Sequence, residues 1–210
     1  GIRADGKVSI YIEKEKIAED TGELQLTEFG ISGIPTFQVS RYASSALSEG
    51  KRVFAMLDFL PELTVEETQN LMRKRFLCFA EGKNTAQALL GLFPDKLNAV
   101  LLKEAQIPSG KPAANCSAED MAKLAEKAKA LYIDITGTKG FDYAQVSAGG
   151  VDTSEVNPMT MESRLVPGLY FAGEVLDVDG MCGGYNLQWA WSSGYVAGKE
   201  AACCCTAGNT

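Results

Sequence analysis

The hydrophobic period of this chain changes twice along its length, and that change constrains the fold more than any other feature. Val8, Ile10 and Ile12 alternate with Ser9, Tyr11 and Glu13, and the stretch from Glu23 to Thr27 repeats the alternation with Leu24 and Leu26, so both runs read as strands. Ser32 or Gly33 then suits an N-cap, with Pro35 in the first turn of a helix predicted to run toward Leu47 and stop at Gly50. Arg52 to Asp58 alternates again. At Pro61 the period lengthens: Thr64-Val-Glu-Glu67 has capping-box spacing, and Val65, Met72, Phe76 and Phe79 recur at helical intervals. Two short helices are predicted over Asn84 to Leu92 and Lys96 to Ala105. After a linker from Pro108 to Pro112, Ser117-Ala-Glu-Asp120 opens a helix that turns Met121, Leu124 and Ala128 inward and leaves its lysines in solvent. Period two returns over Leu131 to Thr136 and Tyr143 to Ser147. Strands on both sides of a helical block predict a β-barrel-like module over residues 1–60 and 130–150, interrupted by a helical subdomain over 61–129.

The remaining segment has a different order. Gly168 to Glu174 reads as an apolar strand of the central-sheet type, followed by a glycine-rich acidic loop and then a helix from Leu187 onward. Ala190, Gly194, Ala197 and Ala201 share one helical face, small enough to lie close on a sheet, and Trp189 and Trp191 read as packing residues. Gly183 and Gly184 let backbone approach a ligand closely, and the N–H groups and dipole of the helix start favour negative charge there. A flavin or a phosphate would supply that charge. The tail from Cys203 to Thr210 has no periodicity and is predicted to fray.

Composition narrows the function classes. A net charge of −7 and a pI near 4.8 argue against sequence-independent nucleic-acid binding, which depends on a basic surface. With no histidine, Ser-His-Asp and Cys-His catalysis are excluded, whereas chemistry carried by an organic cofactor is not. The six cysteines form neither a disulfide framework nor a zinc pattern. No run has the length of a membrane span and no signal peptide is evident, so a cytoplasmic location is expected. The opening Gly1-Ile-Arg-Ala-Asp-Gly6 reads as the edge of a turn, which suggests either a piece of a longer polypeptide or a tag scar.

Several motifs together resemble a known family. Ala148-Gly-Gly-Val151, Asn157-Pro158 with Thr160-Met-Glu-Ser163, Gly168-Leu-Tyr-Phe-Ala-Gly-Glu174, Leu176-Asp-Val-Asp-Gly180 and Gly183-Gly-Tyr-Asn-Leu-Gln188 are similar to the C-terminal half of bacterial NAD(P)/FAD-dependent oxidoreductases, the aminoacetone oxidase and bile-acid-inducible flavoprotein group. Gly22-Glu-Leu24 with Phe29-Gly-Ile-Ser-Gly33 resembles that family's inserted domain. The resemblance implies an α+β, multi-part enzyme: a Rossmann-type half that binds the ADP moiety, an inserted barrel with a helical appendage, and a C-terminal strand–loop–helix over 151–202 that returns to the flavin domain. No Gly-x-Gly-x-x-Gly turn after a strand occurs in these 210 residues, so the dinucleotide-binding half is the expected missing partner.

By this resemblance the cofactor is FAD and NAD(P)H is a candidate reductant, with a small-molecule substrate left open. Gly173 and Glu174 close the strand, and Glu174 would accept a hydrogen bond from a ribityl hydroxyl. Asp179, like Asp177, would repel a pyrophosphate and instead faces ribityl hydroxyls, a backbone turn or an arginine. The N–H groups of Tyr185, Asn186, Leu187 and Gln188 are assigned to the pyrimidine edge of the flavin, with Gly183 and Gly184 giving clearance. Asn186 serves equally well as an N-cap, and Gly149 and Gly150 either pass the flavin ring or make a tight turn. No catalytic acid or base is identified. Two other readings compete. One is a non-catalytic module that recognises a small molecule or a protein; the other is an elongation-factor-like barrel on RNA, which the acidic balance weakens.

Overall fold

The computed structural model describes residues 1–207, which divide into two compact units between Thr138 and Lys139. The first unit is built on five strands in the order β3-β2-β1-β4-β5, every neighbouring pair antiparallel. β1 (Ile2–Ile12) and β2 (Glu15–Thr27) form a long hairpin that turns through Glu13 at φ 56°. β3 (Gly30–Ser32) and α1 (Ile34–Ser48) follow, then β4 (Val53–Asp58). The expected barrel is therefore an open ladder, since β3 and β5 each pair on one side only among the described residues. β2 also begins well before the predicted Glu23. Its first half is mostly polar and carries no apolar alternation, so the ladder with β1, which skips Ile17 at a bulge opposite Ile10/Tyr11, decides the conformation there rather than side-chain pattern.

Between β4 and β5 (Leu131–Ile135) lie α2 (Val65–Cys78), α3 (Thr85–Ala88), α4 (Asp95–Glu104) and α5 (Ala118–Lys129). Local chemistry starts three of them. Reciprocal side-chain-to-backbone bonds make capping boxes of Thr64/Glu67, Asn84/Gln87 and Ser117/Asp120. α3 is a single turn rather than the predicted Asn84-to-Leu92 helix. Gly91 at φ 77° breaks it, and the buried Asn98 amide donates to Leu89 O (3.1 Å) and Phe93 O (2.9 Å) to close the bend. Val8, Leu24 and Leu57 of the sheet share one core with Val39 of α1, Met72 and Phe76 of α2, Leu101 of α4 and Leu124 of α5.

One lysine predicted to lie in solvent is instead half-buried. Lys129 pairs with Asp58 at 2.7 Å, the two side chains only 12% and 11% exposed, and Lys129 also donates to the carbonyls of Leu60 and Leu63. Asp58 accepts the Leu60 amide, so the end of β4, the turn after it and the end of α5 are tied at one point.

The second unit departs further from the sequence pattern. Tyr143 to Ser147 is not a strand; a 3-10 turn over Phe141–Tyr143 leads into an exposed segment. Gly168 to Glu174 is not a strand either, but a Glu162↔Tyr170 bridge followed by a 3-10 turn at Gly173–Val175. Both segments carry strand-forming residues, yet a ladder needs a neighbour, and among the described residues the second unit offers only the isolated bridges Val151↔Leu176, Val156↔Ser163 and Glu162↔Tyr170. α6 (Tyr185–Ala207) runs into the segment predicted to fray as far as Ala207; residues 208–210 of that segment lie outside the described residues. α6 packs through Trp189, Ser193, Val196 and Ala197 onto Val156, Met161 and Leu176. Gly194 of the predicted small-residue face points to open space, and Trp191 is exposed rather than packed.

Candidate functional site

The site expected from the sequence falls wholly within the second unit. Gly183 (φ 124°) and Gly184 (φ 96°) are consecutive residues in the left-handed region, a conformation side chains disfavour, and they turn the chain into α6. The first intrahelical bond there is donated by Gln188 N to Gly184 O at 3.0 Å. The amides of Tyr185, Asn186 and Leu187 therefore precede the helical ladder and open toward the loop side, as the first turn of any helix does. Gln188 does not join them, because its amide is in the ladder and its side-chain Nε2 donates to Ser192 Oγ at 2.9 Å.

Asn186 is not the N-cap, since helical geometry begins one residue before it. Its side chain instead pairs with both backbone groups of Gly180: Oδ1 accepts the Gly180 amide at 2.7 Å and Nδ2 donates to the Gly180 carbonyl at 3.2 Å. Asn186 thus closes the acidic loop onto the helix. A Cβ at Gly180 would meet Tyr185 Cβ at 3.0 Å, so the approach is close and any side chain there would press on Tyr185. Asp179, half-buried, directly precedes the closed loop.

Gly173 sits at φ 74° where the 3-10 turn meets α6. Its amide donates to Ser193 Oγ (2.9 Å) and its carbonyl accepts Trp189 Nε1 (3.2 Å). Ser193 is 2% exposed and anchors this junction, a role sequence reading missed; a hydroxyl at i+4 from Trp189 on the apolar face was the available signal. Glu174 is exposed and accepts the Ser147 amide on Oε1 at 2.7 Å. Asp177 accepts the Gly149 amide at 3.1 Å, the backbone-turn alternative of those predicted for it. Gly150 lies in a close backbone crossing, where a Cβ would be 2.5 Å from Val175 O. Beside the junction an apolar recess of about 200 Å³ is lined by Val156, Met161, Leu176, Trp189 and Val196, with Ser192 and Ser193 at its edge.

No helix among the described residues is long and apolar enough to cross a membrane.

The chain is thus an α+β protein in which an antiparallel five-stranded unit is followed by a second unit that ends in a glycine turn and a long helix. Residues 20–200 match the family described as the HI0933-like protein Rossmann domain, and the chain belongs to that family. It is 46% identical over 205 residues to the 3-dehydro-bile acid delta(4,6)-reductase of Clostridium scindens, covering 96% of this chain and 49% of the relative. It is similar as well to ribosomal RNA dihydrouridine synthases, 34% identical for that of Escherichia coli (84% of this chain, 42% of the relative) and 37% for that of Haemophilus influenzae (83% and 41%). The chain thus spans about half the length of the curated relatives it matches.

Proposed function

We propose that these residues supply the insert and the C-terminal flavin-facing segment of an FAD-dependent reductase, with the Gly183–Gly184 turn and the first turn of α6 against the pyrimidine edge of the flavin. The turn carries this reading. It directs the amides of Tyr185, Asn186 and Leu187 to one place, and nothing lies within 4 Å of a Cβ built at Gly184, so a flat ligand has clearance there. A bound flavin would supply the redox chemistry, and the negative charge it gathers at that edge on reduction is what a helix start favours. Glu174 keeps Oε2 for a ribityl hydroxyl while Oε1 holds Ser147. The greater identity to a bile-acid reductase, together with the net charge of −7, weighs toward a small-molecule substrate rather than RNA, with NAD(P)H as reductant.

Gly184→Val tests the reading in a longer protein that also carries a dinucleotide-binding half. A β-branched residue at φ 96° is strained and fills the clearance, so flavin occupancy should fall and the reduction potential of any flavin retained should move to a more negative value. Normal occupancy at an unchanged potential would mean that the start of α6 faces something else.

A further inference from the structure

The segment from Lys139 to Gly150 is exposed at every residue, and its backbone is captured only where it reaches the 3-10 turn at Gly173–Val175. Two of the capturing bonds are ordinary ladder bonds, Val151 N to Val175 O at 2.8 Å and Asp177 N to Val151 O at 3.0 Å. The other two are made by carboxylates, Ser147 N to Glu174 Oε1 at 2.7 Å and Gly149 N to Asp177 Oδ1 at 3.1 Å. Residues 147, 149 and 151 are spaced by two, but Gly149 at φ 96° and Gly150 at φ 150° leave the extended region, so the strap forms no regular strand edge. In the 3-10 turn Val175 O is taken by the Val151 amide, and Gly173 O by the Leu176 amide and Trp189 Nε1. Glu174 and Asp177 instead hold the Ser147 and Gly149 amides with side-chain oxygens.

We propose that Glu174 and Asp177 are positioning residues that extend the single bridge at Val151↔Leu176 into a latch, strapping residues 147–151 across the 173–177 turn and fixing Gly149–Gly150 beside it. Hydrogen bonds to a carboxylate are stronger than neutral ones, which suits a strap with no side-chain burial of its own. Gly150 permits the strap to lie flat, because a Cβ there would stand 2.5 Å from Val175 O and 2.9 Å from Asp177 N. The latch also commits one oxygen of Glu174, so order in the strap and a ligand hydroxyl on Glu174 draw on the same carboxylate. That last link rests on the flavin reading; the latch does not, and it is measured without cofactor.

Residue-resolved amide hydrogen exchange on the chain as it stands tests the latch. In Glu174→Ala the Ser147 amide should exchange roughly tenfold faster or more, and in Asp177→Ala the Gly149 amide should do so, while Val151 N and Asp177 N stay within about threefold of wild type. Glu174→Gln and Asp177→Asn keep shape and an acceptor oxygen without charge; they should accelerate the same amides by less, and they serve if an alanine variant loses its fold. A Ser147 amide already unprotected in the wild type, or acceleration shared equally by all four amides, overturns the latch. Failure of FAD to bind would count against the flavin reading alone.

Discussion

Asp120 Oδ2 accepts two donors at once, the Ser117 amide at 2.8 Å and the Lys111 ammonium at 2.7 Å. The Lys111 hydrogen bond first, and the Ser117 backbone N–H next, hold its carboxyl below the usual range, while Lys111 is held above its own. An acid whose pKa is depressed by folding stabilises the folded state when ionised. That stability is complete above the ordinary carboxylate value near 4 and is lost as pH falls through the lower folded value. Asp120→Asn should therefore cost about 1 kcal/mol at pH 7, as expected for one charge-assisted bond at a partly exposed site. Urea midpoints measured from pH 7 down to 3 should show wild type and variant converging at the acid end. A gap that does not change with pH would assign Asp120 a packing role instead. The same economy holds at the candidate site, where Asn186 satisfies both backbone groups of Gly180 and so sets the loop that the helix start faces.

Among the elements, those governed by near neighbours in sequence were legible and those governed by distant partners were not. Thr64 with Glu67 and Ser117 with Asp120 start α2 and α5 within four residues of chain, and Pro35 after Gly33 does the same for α1. Tyr143 to Ser147 and Gly168 to Glu174 have strand composition yet lack a ladder, and the first half of β2 has a ladder but no alternation. At the site, the Gly183–Gly184 turn was legible because φ requirements are local. The Glu174 and Asp177 bonds were not, because they join residues 27 and 28 positions apart. The helical excursion after Pro61 gives a test on this scale. Lys129 holds the carbonyls of Leu60 and Leu63 and is itself paired with Asp58, whereas Ser109 and Gly110 are exposed. Limited proteolysis should cut first near Ser109–Gly110, with residues 60–63 protected. Lys129→Met, which leaves Asp58 charged and unpaired, should cost about 3–5 kcal/mol and bring cleavage to 60–63. Early cleavage at 60–63 in the wild type would show that the Asp58–Lys129 pair does not hold that turn.

On the scale of the molecule, the second unit exposes more apolar surface than its small core explains. Met159, Leu165, Trp191 and Tyr195 are each more than 65% exposed, and over its 23 residues α6 carries only Lys199 and Glu200 as charges. A helix apolar around most of its circumference is suited to cover on more than one side. Relatives about twice as long have additional chain to provide it, and we propose that this cover is the half that holds the dinucleotide end of FAD. Two outcomes follow for the 210-residue chain. Alone, it should bind FAD more weakly than about 1 μM, roughly −8 kcal/mol, because the contacts to adenine and pyrophosphate are made by that other half. Joined to such a half, its tryptophan emission should shift to the blue as Trp191 leaves water, and flavin fluorescence quenching should report sub-micromolar affinity. Sub-micromolar binding by the chain alone would place the binding energy in the loop from Gly173 to Gln188 itself. Tight FAD binding with unchanged emission would separate the two ideas, keeping the flavin at the glycine turn while assigning the exposed face of α6 to a different partner.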